Sequence, residues 1–380
     1  MMAKRKRPAG GAVRRIARPR SAGGLLALTA AVLSLQAASA APLDQASMVV
    51  FSPEGAWEIS LTPQAGQAPP LVMTVFSTEG AKEIPLTQKG GQDRDRPQTQ
   101  ARQAKKQLGM SVGYRQDTLD WNIAGNAFGQ NPDVLSELEW KLKMLEIRLD
   151  GQWQAANGFT VMGDIAYAYA FSGEDRDSDY SMDGRQGEFS RSYSESHGSY
   201  ATDIALGLGW TLDISPRLTF TPALGYAWSH HVMRSRHGKR HIPYVARFSG
   251  LDSTYKPEWH GPWLGLEAKL QATERLEFHA GTRREWLDYK GEGNWNLRSD
   301  FAHPVSFRDT GRGKGWQSSL GASWRLQSQD SLSLDFRHQS RSLKNGDSWT
   351  FFANGDRDIT RFNEANWESW SANIGYRLDF

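Results

Sequence analysis

The last eleven residues alternate without a break. Trp370, Ala372, Ile374, Tyr376, Leu378 and Phe380 fall on one face, and Ser371, Asn373, Gly375, Arg377 and Asp379 on the other. Apolar-against-polar alternation over about ten residues marks a strand with one side in lipid and the other in a polar lumen. The same period of two runs forward from Leu108. It predicts strands near 108–124, 135–152, 158–173, 199–213, 217–232, 259–273, 274–291, 314–327, 330–345 and 365–380. Connections at 154–157, 213–216, 272–273 and 328–329 are short, whereas those at 174–198, 233–258, 292–313 and 346–364 are long, polar and Gly-rich. Short turns alternating with long loops predict an all-β fold: a transmembrane antiparallel β-barrel of about ten strands over 108–380. Its termini and short turns would face the periplasm and its long loops the outside. Inward positions would include Arg148, Asp150, Lys269, Arg283, Glu285, Arg325, Arg337 and Arg377. A lumen of this girth is largely filled by side chains, which excludes a general diffusion porin.

Upstream of Leu108 the pattern changes twice. Basic residues from Lys4 to Arg20 precede an apolar run, Leu25 to Leu35, and then the small-residue site Ala38-Ser39-Ala40. That order reads as a secretory signal peptide over 1–40, its apolar run too short to span a bilayer. Residues 41–107 read as a small periplasmic extension. Within it, the segment from Val50 to Thr62 recurs from Val75 to Thr87, each copy reading as strand, Glu-Gly turn, strand. Two such hairpins bury little apolar surface, so they would dock on a periplasmic partner, plug the barrel or remain mobile. The polar stretch from Gln88 to Gln107 reads as a disordered linker.

Composition sharpens this picture. The formal charge of +3 is smaller than the eight Lys and Arg of the leader, so the chain after Ala41 is net acidic, which argues against a nucleic-acid partner. There is no Cys, hence no disulfide and no thiolate chemistry. Fifteen Trp residues in a chain of low hydropathy suit a barrel whose aromatic side chains gather in interfacial girdles. The terminal Phe380 resembles the signal read by the outer-membrane barrel-assembly machinery. Together these features predict a monomer in the outer membrane of a Gram-negative cell, in contact with membrane lipid and lipopolysaccharide.

Several segments, in order along 108–380, resemble omptins, the outer-membrane aspartyl-type proteases. Ser136-Glu137-Leu138-Glu139-Trp140-Lys141 resembles the opening of the second omptin strand. Asp177-Ser178-Asp179-Tyr180 resembles an Asp-x-Asp-aromatic element of the second loop. Tyr255-Lys256 and Pro262-Trp263-Leu264-Gly265 resemble the sixth strand, and Asn373 to Phe380 the last. The resemblance implies that Asp177 and Asp179 form one catalytic wall, facing an Asp-x-His dyad whose His acts as general base. Aligned through Trp286, however, the dyad falls on Gly293 and Trp295, and the specificity acid on Gly291; none can hold or orient a proton. Of the family's lipopolysaccharide site, Tyr226 is matched, but the remaining positions are Trp228, His230 and Glu258, and a carboxylate cannot pair with a phosphate.

Other clusters carry weaker chemistry. His230, His231, Arg234, Arg236, His237, Lys239, Arg240 and His241 make the third loop basic. Tyr226, Arg234, Arg236, Lys239 and Arg240 are therefore candidates for anionic lipid or glycan. The histidines lack a spacing that fixes a metal geometry, and Asp175, Asp177, Asp179 and Asp183 do not fit the calcium-loop pattern, so no metal or other cofactor is expected. The expected function is non-proteolytic: surface binding or adhesion, or a narrow pore. The alternative is a divergent omptin-like aspartyl endopeptidase using Asp177 and Asp179 with another base.

Overall fold

The computed structural model describes four N-terminal strands and residues 104–326 and 329–380. The expected signal peptide and most of the expected linker, residues 88–103, lie outside the described residues. The chain divides into two compact units, Met1–Gln98 and Thr99–Phe380. In the first, β1 (Ala46–Ser52) pairs with β2 (Gly55–Leu61) and β3 (Val72–Ser77) with β4 (Gly80–Pro85), antiparallel, with Ser52 opposite Gly55 and Ser77 opposite Gly80.

The second unit is a ring of ten antiparallel strands. They are β5 (Lys105–Ile123), β6 (Ser136–Gln154), β7 (Phe159–Met182), β9 (Tyr200–Trp210), β11 (Leu218–Ile242), β13 (Asp252–Gln271), β14 (Leu276–Asn294), β15 (Phe307–Arg325), β16 (Asp330–Phe351) and β17 (Arg357–Asp379). The ring closes between β17 and β5, where Leu378 faces Leu108 and the Phe380 amide donates to the Lys106 carbonyl at 2.8 Å. Closure removes the exposed edge that lipid cannot solvate. Three short strands, β8 (Gln186–Glu195), β10 (Leu212–Ser215) and β12 (Ala246–Arg247), elaborate the rims.

Alternation sorts the side chains as expected. Leu145, Ile147, Leu149, Ile165, Leu206, Leu264, Leu334 and Ile374 are exposed on the outer wall, between aromatic residues such as Trp153, Trp210, Trp324 and Tyr376 at one level and Phe171, Trp286, Trp316 and Trp370 at the other. Two expectations need correction. The tryptophans do not all gather in girdles: Trp121, Trp140, Trp259, Trp263 and Trp367 are buried inside the barrel. The strands are also far longer than their apolar stretches. β7 has 24 residues and β11 has 25, against the 9–11 or so that cross a bilayer. Much of the expected loop sequence, including 174–182, 186–195, 233–242 and 346–351, is sheet standing above the membrane. These stretches pair through their backbones while lacking an apolar face. The first barrel strand also takes in Lys105 to Gln107, expected in the linker.

The lumen is layered. At the periplasmic mouth, Asp335 holds His279 (2.6 Å) and Arg377 (2.9 Å), and the Lys269 ammonium donates to Gln152 (2.8 Å). Arg325 sits at that mouth, donating to the Glu274 carbonyl at 3.3 Å. Above it lies a belt of buried ion pairs. Arg115 binds Asp203 (2.6 Å), Asp117 (2.8 Å) and Glu146 (3.1 Å); Arg148 and Arg283 converge on Asp164; Arg341 meets Glu285 at 2.9 Å. Burying charge is tolerated here because each carboxylate has a cation, and some have further hydrogen bonds, such as Asn373 to Glu146 at 2.8 Å.

Above the belt is one contiguous hydrophobic cluster to which all ten ring strands contribute. It includes Leu119 and Trp121 from β5, Trp140 from β6, Ala168 from β7, Ala201 from β9 and Met233 from β11. Tyr255, Tyr289, Phe307, Leu343 and Trp367 complete it from β13 to β17. Trp140 stacks on Tyr255 with centroids 5.6 Å apart and planes 8° from parallel, and Tyr289 stacks on Phe362 at 5.7 Å. Such ring pairs add about 0.5–1.5 kcal/mol each beyond area burial. Every ring strand thus feeds one apolar layer inside the barrel.

Candidate functional site

One residue creates the acidic wall. Along β7, Ala166, Ala168 and Ala170 face inward opposite Arg148, Glu146 and Met144 of β6. The register then shifts: Met144 faces Ala170 while Lys143 faces Ser172, leaving Phe171 as an extra residue. A bulge of one residue exchanges the two faces of a strand. Beyond it Asp175, Asp177 and Asp179 point inward, opposite Trp140, Leu138 and Ser136. On the next strand they face Ser194, Ser192 and Ser190 of β8. This stretch lies beyond the lipid-facing Tyr167, Tyr169 and Phe171, outside the membrane-spanning part.

The three acids differ in their support. The Ser196 hydroxyl donates to Asp175 at 2.8 Å, with Ser235 and Ser194 nearby, yet burial pushes the Asp175 carboxyl up to about 6. Asp177 has no comparable donor, and its Oδ1 is shielded from solvent without a hydrogen-bond partner. Burial first, then the negative charges of Asp179 and Asp175, raise it well above the usual carboxylate range against the pull of Arg298. Asp179 is also raised by burial, opposed by hydrogen bonds from Ser136 and Ser190 and by Arg298. Asp177 and Asp179 therefore titrate as a pair. Arg298 lies between β14 and β15 and is gripped by Asp300 at 2.7 and 2.9 Å. It is the cation facing the acids from the opposite wall.

That opposite wall is filled. Gly291 and Gly293 of β14 point inward, as the alignment required. A Cβ on Gly291 would stand 2.1 Å from the Tyr255 hydroxyl, and one on Gly293 2.1 Å from the Phe307 ring. Trp295 lies edge-on to Phe307, centroids 4.6 Å apart. The positions of an omptin dyad thus lack acid and base, and neighbouring rings occupy the space those side chains would need. Of the other imidazoles, His279 is committed to Asp335 at the far end of the lumen. His303 is held by Asn294 (2.8 Å) and the Arg298 carbonyl (3.2 Å). His197 stacks on His237 beside Glu195.

Sequence reasoning missed a second polar group here. Asp309, at the extracellular end of β15, accepts from the Tyr255 hydroxyl at 2.8 Å, and that hydroxyl lies 2.6 Å from the hydroxyl of Tyr289. Burial raises the Asp309 carboxyl to about 7, opposed by hydrogen bonds from Ser348 and Tyr255. The three residues come from separate strands, and Asp309 lay in a stretch read as loop, so its inward parity was hidden. Ser229, His231 and Asp203 also meet inside the barrel, but the serine donates to the aspartate (2.5 Å) and touches the histidine (3.0 Å). All three are buried, and Asp203 does not orient the imidazole as a nucleophilic triad requires.

The candidate lipid and glycan residues do not form one site. Tyr226 is on the outer wall, its hydroxyl 2.8 Å from His260 Nδ1. Beside it His230 stacks on Trp228 and lies 3.8 Å from Glu258. Arg234 and Arg236 share Asp252 at 3.8 and 2.7 Å. Arg240 packs over the Tyr244 ring at 3.9 Å, and Lys239 lies opposite Tyr193 and Arg247. The Asp183 carboxylate accepts from the Asp133 amide at 2.8 Å, tying the tip of the β7–β8 hairpin to the first loop and away from the other acids. Among the described residues, no group of three or more His, Asp or Glu is arranged to hold a metal ion.

A family model described as Pom, Protochlamydia outer membrane protein, matches residues 109–380. No curated protein matches the chain. Among solved structures the chain is similar to the outer membrane protease OmpT of Escherichia coli, with a TM-score of 0.62 and 14% identity over 73% of this chain and 97% of that one. It also aligns with the translocator domain of the autotransporter NalP from Neisseria meningitidis (TM-score 0.32, 11% identity, 72% and 88% covered). A Pseudomonas aeruginosa FadL homologue gives a TM-score of 0.27 and 10% identity, with 72% and 90% covered. The likeness to OmpT is one of fold: an omptin-like outer-membrane barrel.

Proposed function

This chain belongs to the Protochlamydia outer membrane protein family, and from that premise we propose that it is a closed, non-proteolytic surface barrel that works by binding through its extracellular sheets. The observation that carries this reading is the hydrophobic layer drawn from all ten ring strands. An apolar layer of that extent, lying between the periplasmic mouth and the acidic wall, argues against a narrow pore. Its members Phe307 and Tyr255 also stand against the position of the first dyad residue, Gly293, and that of the specificity acid, Gly291, which argues against the omptin reaction. A fold does not carry its relatives' chemistry once the site is rebuilt. Below the layer, the lumen holds a cavity of about 120 Å³ lined by residues such as Arg148, Asp164 and Arg337, and a wider one of about 480 Å³ opens at the periplasmic mouth beside Gln152 and Lys269.

Single-channel recording in planar bilayers tests the closed lumen. The full-length barrel is expected to insert without discrete conductance steps. A Trp121→Ala/Tyr255→Ala variant is expected to introduce them. Steady conductance by the unaltered protein would refute the reading.

A further inference from the structure

Three short segments meet at the extracellular rim of the barrel. β8, the far end of β11, and β12 form a small sheet in which Tyr193 faces Lys239 and Lys239 faces Arg247. In the adjoining row Ser192 faces Arg240, and Arg240 faces Ala246. Directly opposed residues of antiparallel strands share a face. Tyr193, Lys239 and Arg247 therefore form one row across three strands, on the side away from the lumen. Lys239 and Arg247 are exposed, and neither side chain has a hydrogen-bond or ion-pair partner among the described residues. The exposed His241 ring packs edge-on against Tyr193, centroids 4.9 Å apart. The nearby acids are already engaged: Glu195 by His237 (3.1 Å) and His197 (3.5 Å), and Glu188 by Arg191.

Two like charges set directly opposite one another destabilise a sheet. Neighbouring cations of the same strand are matched, as Arg234 and Arg236 are by Asp252. Lys239 and Arg247 face one another with no acid between them, on a face with an aromatic ring beside them. Cations next to an accessible ring suit a sugar bearing sulfate, phosphate or carboxylate: the charged groups take charge-assisted hydrogen bonds and the ring packs on the sugar.

Height above the membrane selects the source. Lys239 lies thirteen residues beyond the outer-wall Tyr226 on the same strand. At roughly 3.3 Å per residue and a tilt near 45°, that places it about 30 Å further from the bilayer. Headgroup phosphates of the surrounding leaflet do not reach so far. We propose that the row Tyr193–Lys239–Arg247, with His241, binds an anionic polysaccharide presented from outside the cell rather than lipid of its own membrane. The inference rests on the reading of the barrel as a surface binder and names the ligand class.

Fluorescence anisotropy with labelled dextran sulfate, and neutral dextran as control, tests it on the full-length barrel in detergent micelles. Wild type is expected to bind dextran sulfate and not dextran. The Lys239→Glu/Arg247→Glu variant is expected to lose at least tenfold in affinity, about 1.4 kcal/mol, and Tyr193→Ala a smaller share. Lys143→Glu, on the outer wall of β6, is expected to bind as wild type. An unchanged Kd in the double variant, or equal losses in both charge variants, would overturn the proposal. Vesicles rich in lipopolysaccharide distinguish the source: binding retained by the double variant agrees with a site above the membrane, and loss in parallel with dextran sulfate would place the ligand in the leaflet. Bilayer recordings are unaffected by this outcome, so failure here and failure of the closed-lumen reading are separable.

Discussion

Asp309→Asn isolates one buried carboxyl whose ionisation opposes folding. Asp309 lies seven residues beyond the lipid-facing Trp316, outside the bilayer, with its Oδ2 accepting from Tyr255. Its folded-state pKa is raised to about 7 by burial, against about 4 in an unfolded chain. Over that interval the folded protein holds a proton that the unfolded chain releases. Stability from this group is therefore complete below about pH 4, declines as pH rises from about 4 to about 7, and is flat above. Three units at about 1.4 kcal/mol each set a ceiling of about 4 kcal/mol. Asn keeps an oxygen to accept from Tyr255 and never ionises. In urea titrations of the folded barrel in micelles, read by the gel shift between folded and unfolded forms, the variant is expected to exceed wild type by about 2–4 kcal/mol at pH 8. At pH 4.5 the two are expected to agree within about 1 kcal/mol. Other titrating groups are common to both proteins and cancel in the difference. A gap that does not change between pH 4.5 and 8, or a variant less stable at pH 8, would refute the reasoning.

Two further substitutions test the packing around the site. Gly293→His brings a Cβ against the Phe307 ring at 2.1 Å and is expected to cost about 1–3 kcal/mol as overpacking. Adding Phe307→Ala is expected to recover part of that loss in the same urea titration; wild-type stability of Gly293→His alone would show that the wall has room. Arg115→Met leaves Asp117, Glu146 and Asp203 without their shared guanidinium. Its expected cost is about 3–5 kcal/mol, as for other broken buried pairs, and an unchanged urea midpoint would argue against the belt as a stabilising network.

Much of the barrel is legible in the sequence because lipid imposes a strict period of two. The run from Trp370 to Phe380 announces β17, and Arg148, Glu285 and Arg337 take the inward positions their parity assigns. What alternation cannot convey is what an inward residue meets. Trp121 and Trp140 look in sequence like the lipid-facing Trp316 and Trp324, yet they are buried inside the barrel. The strand extensions were hidden for a related reason. Ser190, Ser192 and Ser194 alternate with Arg191, Tyr193 and Glu195 without an apolar face, so a segment held by backbone pairing reads as a loop. Asp177 and Asp179 were visible as a motif, but the bulge at Phe171 that turns them inward leaves no mark beyond one extra residue. The Asp309–Tyr255–Tyr289 group had no signal at all, since three strands bring it together. Gly293 and Trp295 showed that a dyad was missing, and Gly291 that the specificity acid was; only the packing shows what stands in their place.

The most direct test of the account is a cleavage assay with a mixed peptide library. The purified barrel, reconstituted with lipopolysaccharide, is compared with an Asp177→Ala/Asp179→Ala variant by mass spectrometry of the products. Because the second wall holds rings where a base and its orienter would stand, no cleavage above the variant's background is predicted. Cleavage by the unaltered protein that disappears in the double variant would contradict the account and establish a protease with its base elsewhere.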